Sequence, residues 1–190
     1  MLRTVMLGGI LIITGGLAQA VEAPASMRAY VESQVMAWAT APVVIDAVRA
    51  QNARTGAASQ DQIDAWDKAW RAQVGQSDQP LLDQVLKTPA SAHLGAQVAA
   101  SGGQIAEVFV MDQRGLNVAS SGVTSDYWQG DEAKFQKTFP MGAGAIFVDE
   151  IELDESTQTY SGQISVTLTD PDSGAPIGAI TVGLNAEMFF

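Results

Sequence analysis

The sequence predicts an α+β domain: a five-stranded antiparallel sheet with a long N-terminal helix packed on one face. Three features predict it. Apolar residues fall three or four apart through the first half of the chain, which is helical spacing. After Gly103 the spacing drops to two, which is strand spacing. The strand segments are separated by short turns on both sides of one small helical insert, so neighbouring strands run antiparallel.

Residues 1–20 read as a secretory signal. Arg3 supplies one positive charge, residues 5–17 are apolar apart from Thr14 and small glycines, and Ala18-Gln19-Ala20 is the small-x-small pattern of a cleavage site. An apolar run of about 13 residues is short of the ~20 that a membrane span needs, so cleavage after Ala20 is expected rather than an anchor.

The mature chain is then one domain, with a helical segment over 21–104 and a sheet core over 105–190. In 26–54, Met27, Tyr30, Val31, Val35, Trp38, Val44, Ile45 and Val48 draw a single apolar stripe. Pro42 kinks or breaks this helix, because it has no N–H for the carbonyl of Trp38. Residues 52–58, with Gly56, form a turn. Ser59 and Gln62 have the spacing of a capping box, opening a helix with Ile63, Trp66, Ala69, Trp70 and Val74 that ends at Gly75. Pro80 starts a short helix to Lys87, and Thr88-Pro89 starts another that stops at Ser101-Gly102-Gly103. Strands are expected at 105–112, 116–121, 145–153, 158–169 and 176–186. Gln113-Arg114-Gly115, 154–157 and 170–174 carry turn chemistry, and 124–139 is an aromatic-rich loop with a short helix near 131–136.

Composition narrows the function. With 47% hydrophobic and 16% charged residues, the 190-residue chain has enough apolar surface to fold. Its mean hydropathy of +0.10 owes much to the N-terminal signal. The absence of cysteine excludes a disulfide framework, a thiolate zinc site, an iron–sulfur cluster and a Cys nucleophile. A net charge of −11 and a pI near 4.3 argue against nucleic acid and anionic membrane surfaces as partners. Loss of Arg3 with the signal takes −11 to −12. Thirteen acids face three bases after residue 104, against eight and six in 21–104. The single-Arg leader and the cysteine-free chain suggest a secreted protein of a bacterial periplasm.

Val108-Phe109-Val110-Met111-Asp112-x-x-Gly115-Leu116-Asn117-Val118-Ala119-x-Ser121 resembles the first hairpin of extracytoplasmic Cache (PDC-type) sensor domains. Residues 125–134 sit where such domains place an aromatic ligand-binding segment, and 170–180 is similar to their closing hairpin. The likeness spans about residues 26–187. It implies a PAS-like sheet that binds a small molecule between its concave face and the loops above, feeding a chemoreceptor or histidine kinase. Two departures stand out. No second span or output module follows the last strand, which implies a free-standing form. Asp126 stands where amino-acid-sensing members place an arginine, so a neutral or cationic ligand is expected before an anionic one.

The candidate site follows from these residues. Asp126, Tyr127 and Trp128 combine an acceptor with an aromatic wall in a polar loop, which suits a small polar ligand; the same rings could instead pin the loop. Asp131 and Lys134 lie one turn apart, able to pair with each other or reach a ligand. Ile164, Val166 and Leu168, like Ile180, Val182 and Leu184, alternate with small polar residues that include Thr167 and Thr181. The apolar face suits the long helix and the polar face a pocket floor. The acids at 149–155 could hold Ca2+ but more often form a solvated strand face. His93 has surface or helix-capping duty. No nucleophile, P-loop, His-pair or dinucleotide motif occurs, and no cofactor is implied. The expected function is a non-catalytic sensor domain that passes ligand occupancy to a membrane partner. The alternative is an interaction module that uses the N-terminal helix, with itself as a homodimer or with a receptor.

Overall fold

The computed structural model describes residues 23–154 and 159–190. The expected leader, and residues 155–158 at the expected turn and the start of the strand after it, lie outside the described residues. The N-terminal helix begins as α1 (Ala25–Tyr30), passes through a π-helical turn (Val31–Val35) and continues as α2 (Met36–Ala39). It breaks at Thr40-Ala41, and Pro42 opens α3 (Pro42–Thr55), the position where its missing N–H costs nothing. Then come α4 (Gln60–Gln73), α5 (Pro80–Leu86) and α6 (Pro89–Ala100). The Ser59 capping box forms in full, with Gln62 N–H donating to Ser59 Oγ at 3.3 Å and Ser59 N–H to Gln62 Oε1 at 3.0 Å. Thr88 Oγ1 likewise accepts from Ser91 N–H.

The sheet contains β1 (Ile105–Asp112), β2 (Asn117–Ser120), β3 (Ile146–Val148), β4 (Glu152–Asp154), β5 (Thr159–Thr169) and β6 (Pro176–Asn185), all paired antiparallel. Its order is β2-β1-β6-β5-β3, with β4 also on β5. The strand expected over 145–153 is thus two short pieces along one edge of β5. Between them Asp149 Oδ1 turns to accept from the Glu150 N–H, which interrupts the ladder.

Strand alternation sorts the sheet as expected. Val108, Val110, Ile164, Val166, Leu168, Ile180, Val182 and Leu184 face one way and bury against Met27, Val31, Val35, Ala39, Val44 and Val48 of the N-terminal helices. The apolar stripe is therefore spent in the core, and Arg28, Glu32 and Ser33 lie on the exposed side. His93 Nε2 lies 3.1 Å from the Trp38 carbonyl, at the end of α2, so it serves as an interhelical cap. A second cluster beside β2 joins Ile63 and Trp70 of α4 with Leu82, Val85, Leu116 and Tyr127. Over the opposite sheet face, Phe135 of α7 (Ala133–Gln136) and Phe139 pack on Phe109, Met111 and Ala179.

Candidate functional site

The polar sheet face is built in rows. Across β1, β6 and β5 the register aligns Met111–Ala179–Thr167, then Phe109–Thr181–Ser165, then Glu107–Gly183–Gln163. The insert closes the first row with Phe135 and Phe139. In the second, Thr181 and Ser165 are fully buried and their hydroxyls bond to each other at 2.9 Å. The third row stays open.

Gly183 makes that third row possible. A Cβ there would stand 2.6 Å from Glu107 Cγ, so only glycine lets the glutamate lie across the strand. Glu107 Oε1 then accepts from Gln163 Nε2 at 2.9 Å. A cavity of 120 Å3 lies beside this pair, lined among others by Thr124, Ser125, Gln129 and Lys134. A 350 Å3 groove shares Glu107 and Gln163 and runs toward Ser161 and Asn185. The Lys134 ammonium lies 2.9 Å from Glu132 Oε2 and 5.5 Å from the Phe109 ring centroid. Glu107 makes no ion pair among the described residues. The uncompensated charge at the cavity is therefore negative, and the arrangement suits a cationic or neutral polar guest with several hydrogen-bonding groups.

The residues singled out in the sequence are not all brought together. Lys134 reaches the cavity. Thr181 and Thr167 lie on the same face but under the insert, and Thr167 Oγ1 is buried without a hydrogen-bond partner. Asp131 is exposed, and Lys134 pairs with Glu132 in its place. Asp126 is tied to α4, with Oδ1 accepting from Arg71 at 2.8 Å. Tyr127 and Trp128 do not wall this cavity. Asp67 Oδ1 accepts both of their backbone N–H groups, at 2.9 and 3.1 Å, and the Tyr127 ring stacks on Trp70 with centroids 5.5 Å apart. Trp128 Nε1 donates to the Arg114 carbonyl at 2.8 Å. This corrects the expectation that the two rings cover the polar face: buried Asp67 pulls the segment toward the helices, and the rings fasten the loop there.

Glu107 was not singled out in the sequence, and Gln163 and Gln129 only through their place on the polar strand face and in the 125–134 segment. The signal of Glu107 was faint: a charged residue within a strand, two positions before Phe109, opposite a glycine. Among the described residues no three His, Cys, Asp or Glu side chains converge to hold a metal.

No family model and no curated protein matches the sequence. Solved structures similar to it include sensory domains of chemoreceptors and a histidine kinase. One is the sensory domain of the Campylobacter jejuni chemoreceptor Tlp3 with isoleucine bound, at 13% identity and a TM-score of 0.39, covering 87% of this chain and 65% of that one. Another is the ligand-binding domain of the Pseudomonas aeruginosa PAO1 amino acid chemoreceptor PctC in complex with GABA, at 14% identity and TM-score 0.42, covering 67% and 56%. A third is the V. cholerae histidine kinase DctB sensor domain, at 14% identity and TM-score 0.34, covering 84% and 55%. The chain thus spans between 55% and 65% of the length of these domains.

Proposed function

We propose that the protein is a non-catalytic, extracytoplasmic sensor-type domain that binds a small polar molecule on the open row of its sheet and signals through a membrane partner. The observation that supports the site is the Glu107–Gly183–Gln163 row, with one carboxylate lacking a cation beneath a polar rim. Glu107 is the recognition group for an ammonium or a hydrogen-bond donor, while Thr124, Ser125 and Gln129 contact the rest of the ligand. The neutral or cationic preference follows from that charge. Secretion to a periplasm rests on the leader pattern of residues 1–20. Among the described residues no helix is long and apolar enough to cross a membrane.

A thermal-shift screen of the chain against small amines, amino alcohols and polyols tests the reading. A supporting compound raises Tm, and Glu107→Gln removes most of that rise. If none of the compounds raises Tm, or if the rise survives Glu107→Gln intact, the site assignment is wrong.

A further inference from the structure

A second cavity, of 240 Å3, lies between α3, α4 and α5 and shares no lining residue with the two spaces on the sheet face. Trp66, Leu81 and Val85 give it an apolar wall. Gln51 and Thr55 also line it, but both spend their donors on Asp112, at 3.1 and 2.6 Å. Three polar side chains remain: Arg54, Gln84 and the hydroxyl of Tyr127, a residue only 6% exposed. None of the three side chains makes a hydrogen bond or ion pair with another described residue. Arg54 and Gln84 are exposed and stand at its mouth, whereas Tyr127 is buried apart from a hydroxyl left accessible. An adjoining cleft of 360 Å3, which shares Gln51, Arg54 and Gln84, leads to it from the surface between α3 and α5.

We propose that this cavity is a second binding site, for a small organic monocarboxylate whose apolar body rests on Trp66, Leu81 and Val85. Its carboxylate takes the Arg54 guanidinium and the Tyr127 hydroxyl. The Arg fork matches a carboxylate in shape and charge. Burial, reinforced by the nearby Asp112 charge, pushes the phenol up to about 12, so it stays a donor at any ordinary pH. The single arginine, the Asp112 charge and the overall charge of −11 disfavour a dianion. The site is opposite in sign to the one at Glu107.

Calorimetric titration of the full chain with benzoate, phenylacetate and 4-methylpentanoate, and with neutral benzamide, tests this. At least one acid binds with a Kd below ~10 mM, and benzamide binds at least about tenfold more weakly than benzoate. Arg54→Gln weakens the acid by about tenfold or more, and Tyr127→Phe, which keeps the ring on Trp70, by roughly threefold to tenfold. Glu107→Gln leaves it unchanged. Silence of all three acids, benzamide binding equal to benzoate, or indifference to Arg54→Gln overturns the proposal.

Discussion

Strand β1 carries an acid near each end, and the fold treats the two in opposite ways. Asp112 is fully buried, and its two oxygens accept four hydrogen bonds: from Gln51 at 3.1 Å, Thr55 at 2.6 Å, and the N–H groups of Arg114 at 2.7 Å and Leu116 at 3.0 Å. It fastens the tight hairpin to α3. Gly115 completes the hairpin, with φ +80° and a Cα that could not carry a Cβ, which would stand 2.6 Å from Gly130. Glu107, five residues earlier, is half-buried and accepts one hydrogen bond, from Gln163. A carboxylate whose lone pairs are filled by the fold contributes stability, while one left with capacity at a cavity is available to a ligand.

The contrast can be broken from either side. The largest loss of stability is expected from Trp70→Ala, about 4 kcal/mol, since a fully buried indole and its bond to the Thr124 carbonyl both go. Asp112→Ala follows at about 3 kcal/mol, because it strands several buried donors at once. Urea unfolding measures both. If Asp112→Ala costs under about 1 kcal/mol, the hairpin is not held by this network. Glu107→Gln reverses the pattern: stability changes by less than about 0.5 kcal/mol, while affinity for an amine ligand falls by about tenfold or more. Gly183→Ala sharpens the point. Its Cβ displaces Glu107, so binding weakens although no ligand-contacting group is removed.

The smallest effect concerns acid. Arg49 grips Asp170 at 2.7 and 2.8 Å and, with the N–H groups of Ser173 and Asp172, holds its carboxyl well below the usual carboxylate range. The folded value lies below the unfolded one, near ~4. This contribution is therefore complete above that pH and is lost as pH falls toward the folded value. Tm followed from about pH 5 to about pH 2 should drop less steeply in Asp170→Asn than in the parent. An unchanged slope would mean that the closing hairpin does not depend on this pair.

Much of the fold was legible because it follows from local periodicity. The helix starts at Ser59 and Thr88, the break at Pro42 and the apolar face of β5 and β6 all appear where spacing and capping chemistry put them. The site was less legible because it depends on which way a loop turns. Tyr127 and Trp128 read equally well as a ligand wall or as a loop anchor, and Asp67, sixty residues away, decides between the two. The Glu107–Gln163 pair arises only from three-strand register across a glycine, a relation no single stretch of sequence displays. Thr167 and Thr181 lie on the polar sheet face, as their alternation implied, but the rings of the insert occupy that end of it.

The central claim is that a ligand sits on the open Glu107–Gly183–Gln163 row. Amide chemical-shift mapping of the 15N-labelled chain, titrated with a compound that raises Tm, tests it most directly. Shifts concentrated at Glu107, Ser125, Gln163 and Gly183 are expected, requiring about tenfold or more ligand to reach the same size in Glu107→Gln. Shifts that instead spare those residues, or that build up at the same ligand concentration in Glu107→Gln as in the parent, would contradict it.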